Sequence, residues 1–144
     1  DSPGLRATAE RVRETLFNWL APMIGGARCL DLCAGTGALG IEALSHGAAF
    51  ALLVDDSAES RGLIRTNVEA LQLTGVTKIW RRDATDLGPM AAGSGGPFEL
   101  AFLDPPYRQD LVPRTLAALR DGGWLTPNAV VICETGEDET LPAV

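Results

Sequence analysis

The 144-residue chain is predicted to be an α/β domain built on a mostly parallel, Rossmann-like sheet with helices on both faces. Three observations carry that prediction. Short apolar runs alternate with stretches of helical periodicity, and helices placed between strands mean parallel pairing with right-handed crossovers. The first run leads into Gly35-x-Gly37-x-x-Gly40, a glycine spacing that turns the backbone tightly beneath a ligand and packs the next helix on the sheet. The run Phe98 to Leu103 is apolar enough to be covered on both faces, as strands inside parallel sheets are.

Taken in order, Thr8 can cap an opening helix whose stripe is Val12, Leu16, Trp19, Leu20 and Met23, spaced for one core-facing side. Cys29 to Leu32 is the first strand, and the helix opened by the glycine turn carries Ile41 and Leu44. His46 stands before Gly47 at that helix's end, where it can meet the last carbonyls. Ala49 to Val54 is a strand ending in Asp55. A helix from near Ser57 carries Leu63, Ile64, Val68 and Leu71 before Gly75. Lys78 to Arg81 is a third short strand, followed by Asp83-Ala84. Gly88 to Pro97, rich in Gly, Ser and Pro, reads as a mobile loop rather than a domain boundary, because the next strand belongs to the same sheet. After Phe98 to Leu103, a helix with Leu111, Val112, Leu116 and Leu119 stops at Gly122-Gly123, and Ala129 to Cys133 is a fifth strand.

Composition fits one domain over residues 1–144, with 46% hydrophobic and 22% charged residues. No apolar run approaches the roughly 18 residues of a bilayer span, and the start lacks a signal-peptide pattern, so a soluble cytoplasmic protein is expected. Cys29, Cys33 and Cys133 lie in apolar strand-like stretches with no Cys-x-x-Cys pair; they read as buried small hydrophobes, and no metal is expected. With His46 the single histidine, a His-based triad is disfavoured.

The chemistry concentrates where strands end. Asp104-Pro105-Pro106-Tyr107 offers a carboxylate, rigidly aimed carbonyls and an aromatic ring at a strand's carboxyl end, the groups needed to hold a flat, amino-bearing base. The same tetrapeptide also suits a plain strand end and turn. Asp55, twenty positions after Gly35, can accept both ribose hydroxyls of an adenosine. Asp31 precedes the glycines, where it could order the ammonium of a methionine moiety, and the Asp83 side chain with the Ala84 N–H matches an adenine edge. Asp83 is equally suited to cap a helix. The glycines alone fit a nicotinamide dinucleotide as well as S-adenosylmethionine; Asp31 and Asp83 favour the latter.

Arg11 to Leu20, Asp31 to Gly40, Glu42 to Ser45, Asp83-Ala84, Asp104 to Tyr107 and Gly122 to Leu125, in that order, closely resemble the bacterial 16S ribosomal RNA guanine-N2 methyltransferases. The resemblance implies a class I methyltransferase fold, S-adenosylmethionine as donor with S-adenosylhomocysteine as product, and a guanine N2 in 16S ribosomal RNA or the small ribosomal subunit particle as acceptor. Two stretches depart from the family pattern: Arg6-Ala7-Thr8-Ala9-Glu10-Arg11 stands where Arg-Pro-Thr-x-Asp-Arg is usual, and Asp55-Asp56-Ser57 where a Glu, a variable residue and an Asp are usual. The residues expected to bind cofactor are Asp31, Ala34, Gly35, Gly37, Asp55, Asp83 and Ala84; Asp104, Pro105 and Tyr107 are expected to be catalytic. Arg11, Arg13, Pro106 and Arg108 are expected to meet the RNA.

The net charge of −7 is awkward for an RNA enzyme. It is uneven: residues 1–30 hold four Arg against three acids, residues 31–130 eight basic against twelve acidic side chains, and residues 131–144 none against four. RNA binding must therefore use local patches such as Arg6, Arg11 and Arg13, or Arg108, with Arg81-Arg82 nearer the cofactor. The resemblance also implies a basic segment before Asp1 and two closing strands after Val144, so a monomer truncated at both ends is expected, with Ala129 to Cys133 as an apolar edge. Two rivals stay open: an N-methyltransferase acting on adenine N6 or a glutamine amide, and a non-catalytic dinucleotide-binding module.

Overall fold

The computed structural model describes residues 3–32, 38–103 and 111–133, with side chains from residue 13 onward in the first helix and from 113 onward in the last. The elements are α1 (Pro3–Ile24), β1 (Arg28–Leu32), α2 (Ala38–Ser45), β2 (Phe50–Val54), α3 (Ala58–Ala70), β3 (Thr77–Trp80), β4 (Phe98–Leu103), α4 (Leu111–Gly122) and β5 (Leu125–Cys133), with a 3₁₀ turn at Thr74–Val76 before β3. Among these residues the strands form one sheet in the order β3-β2-β1-β4-β5, and every pairing is parallel.

Both faces are covered, so each strand splits its side chains by alternation between two cores. Cys29, Ala51, Leu53, Leu100 and Phe102 point toward α1, α2 and α3, meeting Phe17, Leu20, Ile24, Ile41, Ile64 and Val68. Leu30, Leu32, Leu52, Val54, Ala101 and Leu103 point the other way, toward Leu116 and Leu119 of α4, Leu87 and Trp124.

Several helix details correct the sequence expectation. Thr8 lies inside α1, which starts at Pro3, a residue suited to a first helical position because its missing N–H would have no helical partner. Phe17, Leu20 and Ile24 are the residues that enter the core, while Trp19 is 66% exposed. An apolar stripe wider than 100° does not say which of its rows meets the sheet, and here Trp19 is on the outer one. Likewise Ile64 and Val68 anchor α3, whereas Leu63 and Leu71 are half or more exposed. The Ser57 hydroxyl caps α3 by accepting the Ser60 N–H at 3.2 Å.

β5 starts at Leu125 rather than Ala129. Phe98 pairs with Leu125 but Leu100 with Val130, so the stretch around Pro127 is an irregularity, one of the few places a sheet tolerates proline. The connection from β3 to β4 contains no helix among its described residues. Gly88 to Pro97, expected to be mobile, is packed and tied down: Ser94 is buried, Met90 N–H donates to the Gly122 carbonyl at 2.9 Å, and Trp124 Nε1 donates to the Gly88 carbonyl at 2.8 Å. The Lys78 and Arg28 side chains donate to the Gly93 and Gly95 carbonyls. Gly123, at φ 73°, closes α4 in a Schellman arrangement, with the Trp124 N–H reaching back to the Leu119 carbonyl at 3.1 Å.

Cys29 is buried and Cys133 partly so, and both are free thiols; Cys33 lies outside the described residues. No helix among the described residues is long and apolar enough to cross a membrane.

Candidate active site

Register decides what can share a ligand. Val54 pairs with Trp80, Leu32 with both Val54 and Leu103, and Leu103 with Cys133. The carboxyl ends of all five strands therefore stop in one row, the edge at which open α/β sheets bind ligands. The glycine turn leaves from Leu32 at the centre of that row, and Asp104 follows Leu103 on the neighbouring strand. Asp55 follows Val54 on the other side, and Asp83 comes three residues after Trp80 at the end.

Asp31 is 2% exposed, one residue before the end of β1 and on the α1–α3 face. Its Oδ2 accepts the Gly40 N–H at 2.9 Å. Gly40 is the third residue of α2, where N–H groups have no helical partner and a carboxylate is favoured by the helix dipole. A side chain at Gly40 would overlap the Leu53 Cδ2 and put its Cβ 3.2 Å from Asp31 Oδ2. Glycine there lets α2 lie directly on β1 and β2, which fixes both flanks of the turn between Leu32 and Ala38.

Asp55 is half-buried in a built corner. Its N–H donates to the Trp80 carbonyl at 3.1 Å, its Oδ1 accepts the Ser57 N–H at 2.9 Å, and its carbonyl accepts from Arg61 Nη1 at 3.1 Å. Asp83 is exposed, and its Oδ1 accepts both the Thr85 N–H at 2.9 Å and the Thr85 hydroxyl at 2.7 Å. Those two bonds hold its carboxyl below the usual carboxylate range, with a smaller contribution from the Arg114 charge. The helix-capping alternative for Asp83 is thus replaced by a turn closed by its own side chain. Ala84 packs its methyl into the α4-side core and seats that turn.

Arg13, expected to meet RNA, points its Nε to Glu42 Oε1 at 3.7 Å, bridging α1 to α2 on the surface. Glu42 also lies 3.5 Å from His46 Nε2, and the His46 ring stacks on Phe17 with centroids 5.0 Å apart. Ala34, Gly35, Gly37, Asp104, Pro105, Pro106, Tyr107 and Arg108, and the side chain of Arg11, lie outside the described residues. Among the described residues no group of three His, Cys, Asp or Glu side chains is placed to hold a metal ion.

Two features escaped the sequence reading. Arg82 stacks on Trp80, its Cζ 5.4 Å from the ring centroid, a contact that i, i+2 spacing at a strand end could have suggested. Thr115, on the inner side of α4, is buried with its hydroxyl unpaired, which the apolar periodicity around it gave no cause to notice.

Over residues 1–144 the chain matches the model of the family described as Conserved hypothetical protein 95. It is 46% identical to the Ribosomal RNA small subunit methyltransferase D of Escherichia coli, over 100% of this chain and 71% of that protein. Among solved structures, a putative methyltransferase from Escherichia coli superposes with a TM-score of 0.78 at 38% identity, covering 92% of this chain and 75% of that one. A putative methylase from Haemophilus influenzae gives a TM-score of 0.78 at 32% identity, with 95% and 85% covered. The parallel sheet with helices on both faces is the Rossmann-like architecture of class I methyltransferases.

Proposed function

The chain belongs to the family described as Conserved hypothetical protein 95, together with the small-subunit ribosomal RNA methyltransferases it resembles, and on that premise we propose that it transfers a methyl group from S-adenosylmethionine to the exocyclic N2 of a guanine in 16S ribosomal RNA.

The observation that carries the cofactor reading is the bond from the Gly40 N–H to Asp31. A dinucleotide's pyrophosphate would take the N–H groups at the start of α2, but a buried carboxylate already holds one of them and would repel an anion. That same carboxylate suits a ligand with a cationic ammonium. Asp31 with Ala34, Gly35 and Gly37 would hold the methionine end, Asp55 the ribose hydroxyls, and Asp83 with the Ala84 N–H the adenine edge. Bound there, S-adenosylmethionine supplies an electrophilic methyl carbon on a sulfonium.

The protein's own part is to position the acceptor. Asp104 and the Pro105 carbonyl accept the two N–H groups of the guanine amine, whose lone pair is otherwise delocalised into the ring. Held so, the nitrogen pyramidalises and aims its lone pair at the methyl carbon, and positioning of this kind supplies several kcal/mol of a barrier. With the donor bound, the amine would take its methyl group, S-adenosylhomocysteine would leave, and Asp104 would accept the amine proton. Tyr107 and Pro106 stack on the base, which must leave its helix at a cost of a few kcal/mol. Arg11 and Arg108 supply charge for the backbone; Arg13, paired with Glu42 at 3.7 Å, would add to it only by leaving that acid.

The decisive experiment incubates the protein with labelled S-adenosylmethionine and small-subunit particles lacking the modification, then maps the labelled atom. Label on a guanine N2 is expected. Label on adenine N6 or on a glutamine, or a melting temperature raised by a nicotinamide dinucleotide and not by S-adenosylhomocysteine, would replace this reading with one of its rivals.

A further inference from the structure

We propose that Arg82, whose guanidinium lies over the Trp80 ring, is a phosphate contact for the RNA strand entering the site. This rests on the reading of the protein as an RNA methyltransferase. A chain of net charge −7 has no overall attraction for RNA, so the contact must come from local, well-placed cations.

Trp80 ends β3 and packs against the α4-side core, while Arg81 and Arg82 beyond it are exposed. The backbone is pinned on both sides of Arg82. The Trp80 carbonyl accepts the Asp55 N–H at 3.1 Å, and Asp83 closes on the Thr85 N–H at 2.9 Å. The guanidinium lies over the Trp80 ring with Cζ 5.4 Å from its centroid, a cation–π contact that positions the charge and leaves its donors for a phosphate. Because the side chain rests on a fixed shelf, less freedom is lost on binding than for an ordinary surface Arg. Exposed Arg114 of α4 is near enough to Asp83 for its charge to lower that carboxyl slightly. Among the described residues the acids near Trp80 and Arg82 include half-buried Asp55, whose N–H donates to the Trp80 carbonyl, exposed Asp56 next to it, Asp83, turned onto Thr85, and exposed Asp86, so the contact must come from the placement of Arg82 and not from a basic surround. In the order β3-β2-β1-β4 the ends of β3 and β4 are three strand spacings apart, roughly 14 Å at about 4.8 Å each, so a strand whose base is held after β4 reaches Arg82 within a few nucleotides.

The test measures binding of the full chain to unmodified small-subunit ribosomal RNA over a salt series, beside binding of S-adenosylhomocysteine, for wild type, Arg82→Ala and Arg82→Lys. Arg82→Ala should weaken RNA binding and flatten the slope of log K against log salt by about 0.7, the value for one single-strand phosphate. Arg82→Lys should keep most of the slope but recover only part of the affinity, since an ammonium lacks the planar stack and fork. Affinity for S-adenosylhomocysteine should be the same in all three. Unchanged RNA affinity and slope in Arg82→Ala, while wild type still binds and methylates RNA, would overturn this inference alone, as would a loss confined to S-adenosylhomocysteine. A wild type that neither binds nor methylates RNA would instead remove the functional reading beneath it.

Discussion

Asp31 and Gly40, nine positions apart, are joined by a 2.9 Å hydrogen bond that ties the end of β1 to the first turn of α2. The bond caps α2 and holds a buried carboxylate at the carboxyl end of β1. On the proposed reading, a ligand that brings a cation there would be favoured over one that brings a phosphate.

Asp31→Asn keeps an acceptor for the Gly40 N–H but removes the charge. Stability should fall by no more than about 1 kcal/mol, the usual scale of a helix-terminus charge. S-Adenosylhomocysteine binding should weaken at least tenfold, about 1.4 kcal/mol, as read by calorimetry. An unchanged affinity would separate Asp31 from the cofactor and leave it a capping residue.

Gly40→Ala inserts a methyl where Leu53 and Asp31 already sit. Leu53 can move only by displacing its core neighbours, so a loss of about 1–3 kcal/mol is expected in urea unfolding. Because α2 would be lifted from β1 and β2, cofactor affinity should fall with it. A variant as stable as wild type would mean that α2 sits higher than described.

The order of strands and helices was legible because fully covered strands leave continuous apolar runs, and Ser57, Gly122 and Gly123 punctuate the helices as capping chemistry requires. That Asp55 and Asp83 would come to one edge followed from the parallel alternation alone. What could not be read was set by contacts between distant segments. Trp19, Leu63 and Leu71 share a stripe with true core residues, and only the docking angle of each helix leaves them outside. Thr126, Pro127 and Asn128 look like a turn, so the start of β5 was hidden until Leu125 paired with Phe98. The role of Asp31 in capping α2 depends on a helix folding back over its own strand.

Trp124→Phe tests what holds the connection between β3 and β4. The indole is 1% exposed, stacks with Phe98 and donates Nε1 to the Gly88 carbonyl. Phenylalanine keeps most of the apolar burial but leaves that carbonyl without its partner, a cost of about 1–3 kcal/mol. The melting temperature should drop, and limited proteolysis should cut sooner between residues 88 and 97.

Burial pushes the Cys29 thiol up to about 12, with Glu99 and Asp31 adding to the effect. In the unfolded chain the thiol ionises near its ordinary 9.0, so folding stability is unaffected below that pH and falls as pH rises from 9.0 toward about 12. Between about pH 8 and pH 10 the loss should be about 1.4 kcal/mol. Urea unfolding at both pH values should show Cys29→Ala losing less by about that amount, whatever its cavity costs at the lower pH. Parallel pH dependences would mean that the thiol is not shielded.

Asp104 follows Leu103, whose register partner is Leu32, so its segment and the glycine turn leave adjacent strands at the same level. If the carboxylate holds the acceptor amine and takes its proton, it matters to the transition state and hardly to the cofactor. Asp104→Ala should then reduce single-turnover methyl transfer by at least a hundred- to a thousand-fold, the scale of losing one aimed polar group, while S-adenosylhomocysteine binds as in wild type. Asp104→Asn, which can still accept one N–H but no proton, should fall between wild type and Asp104→Ala. Equal loss of transfer and of cofactor binding in Asp104→Ala would assign the residue to the cofactor pocket and leave the acceptor amine without its clamp.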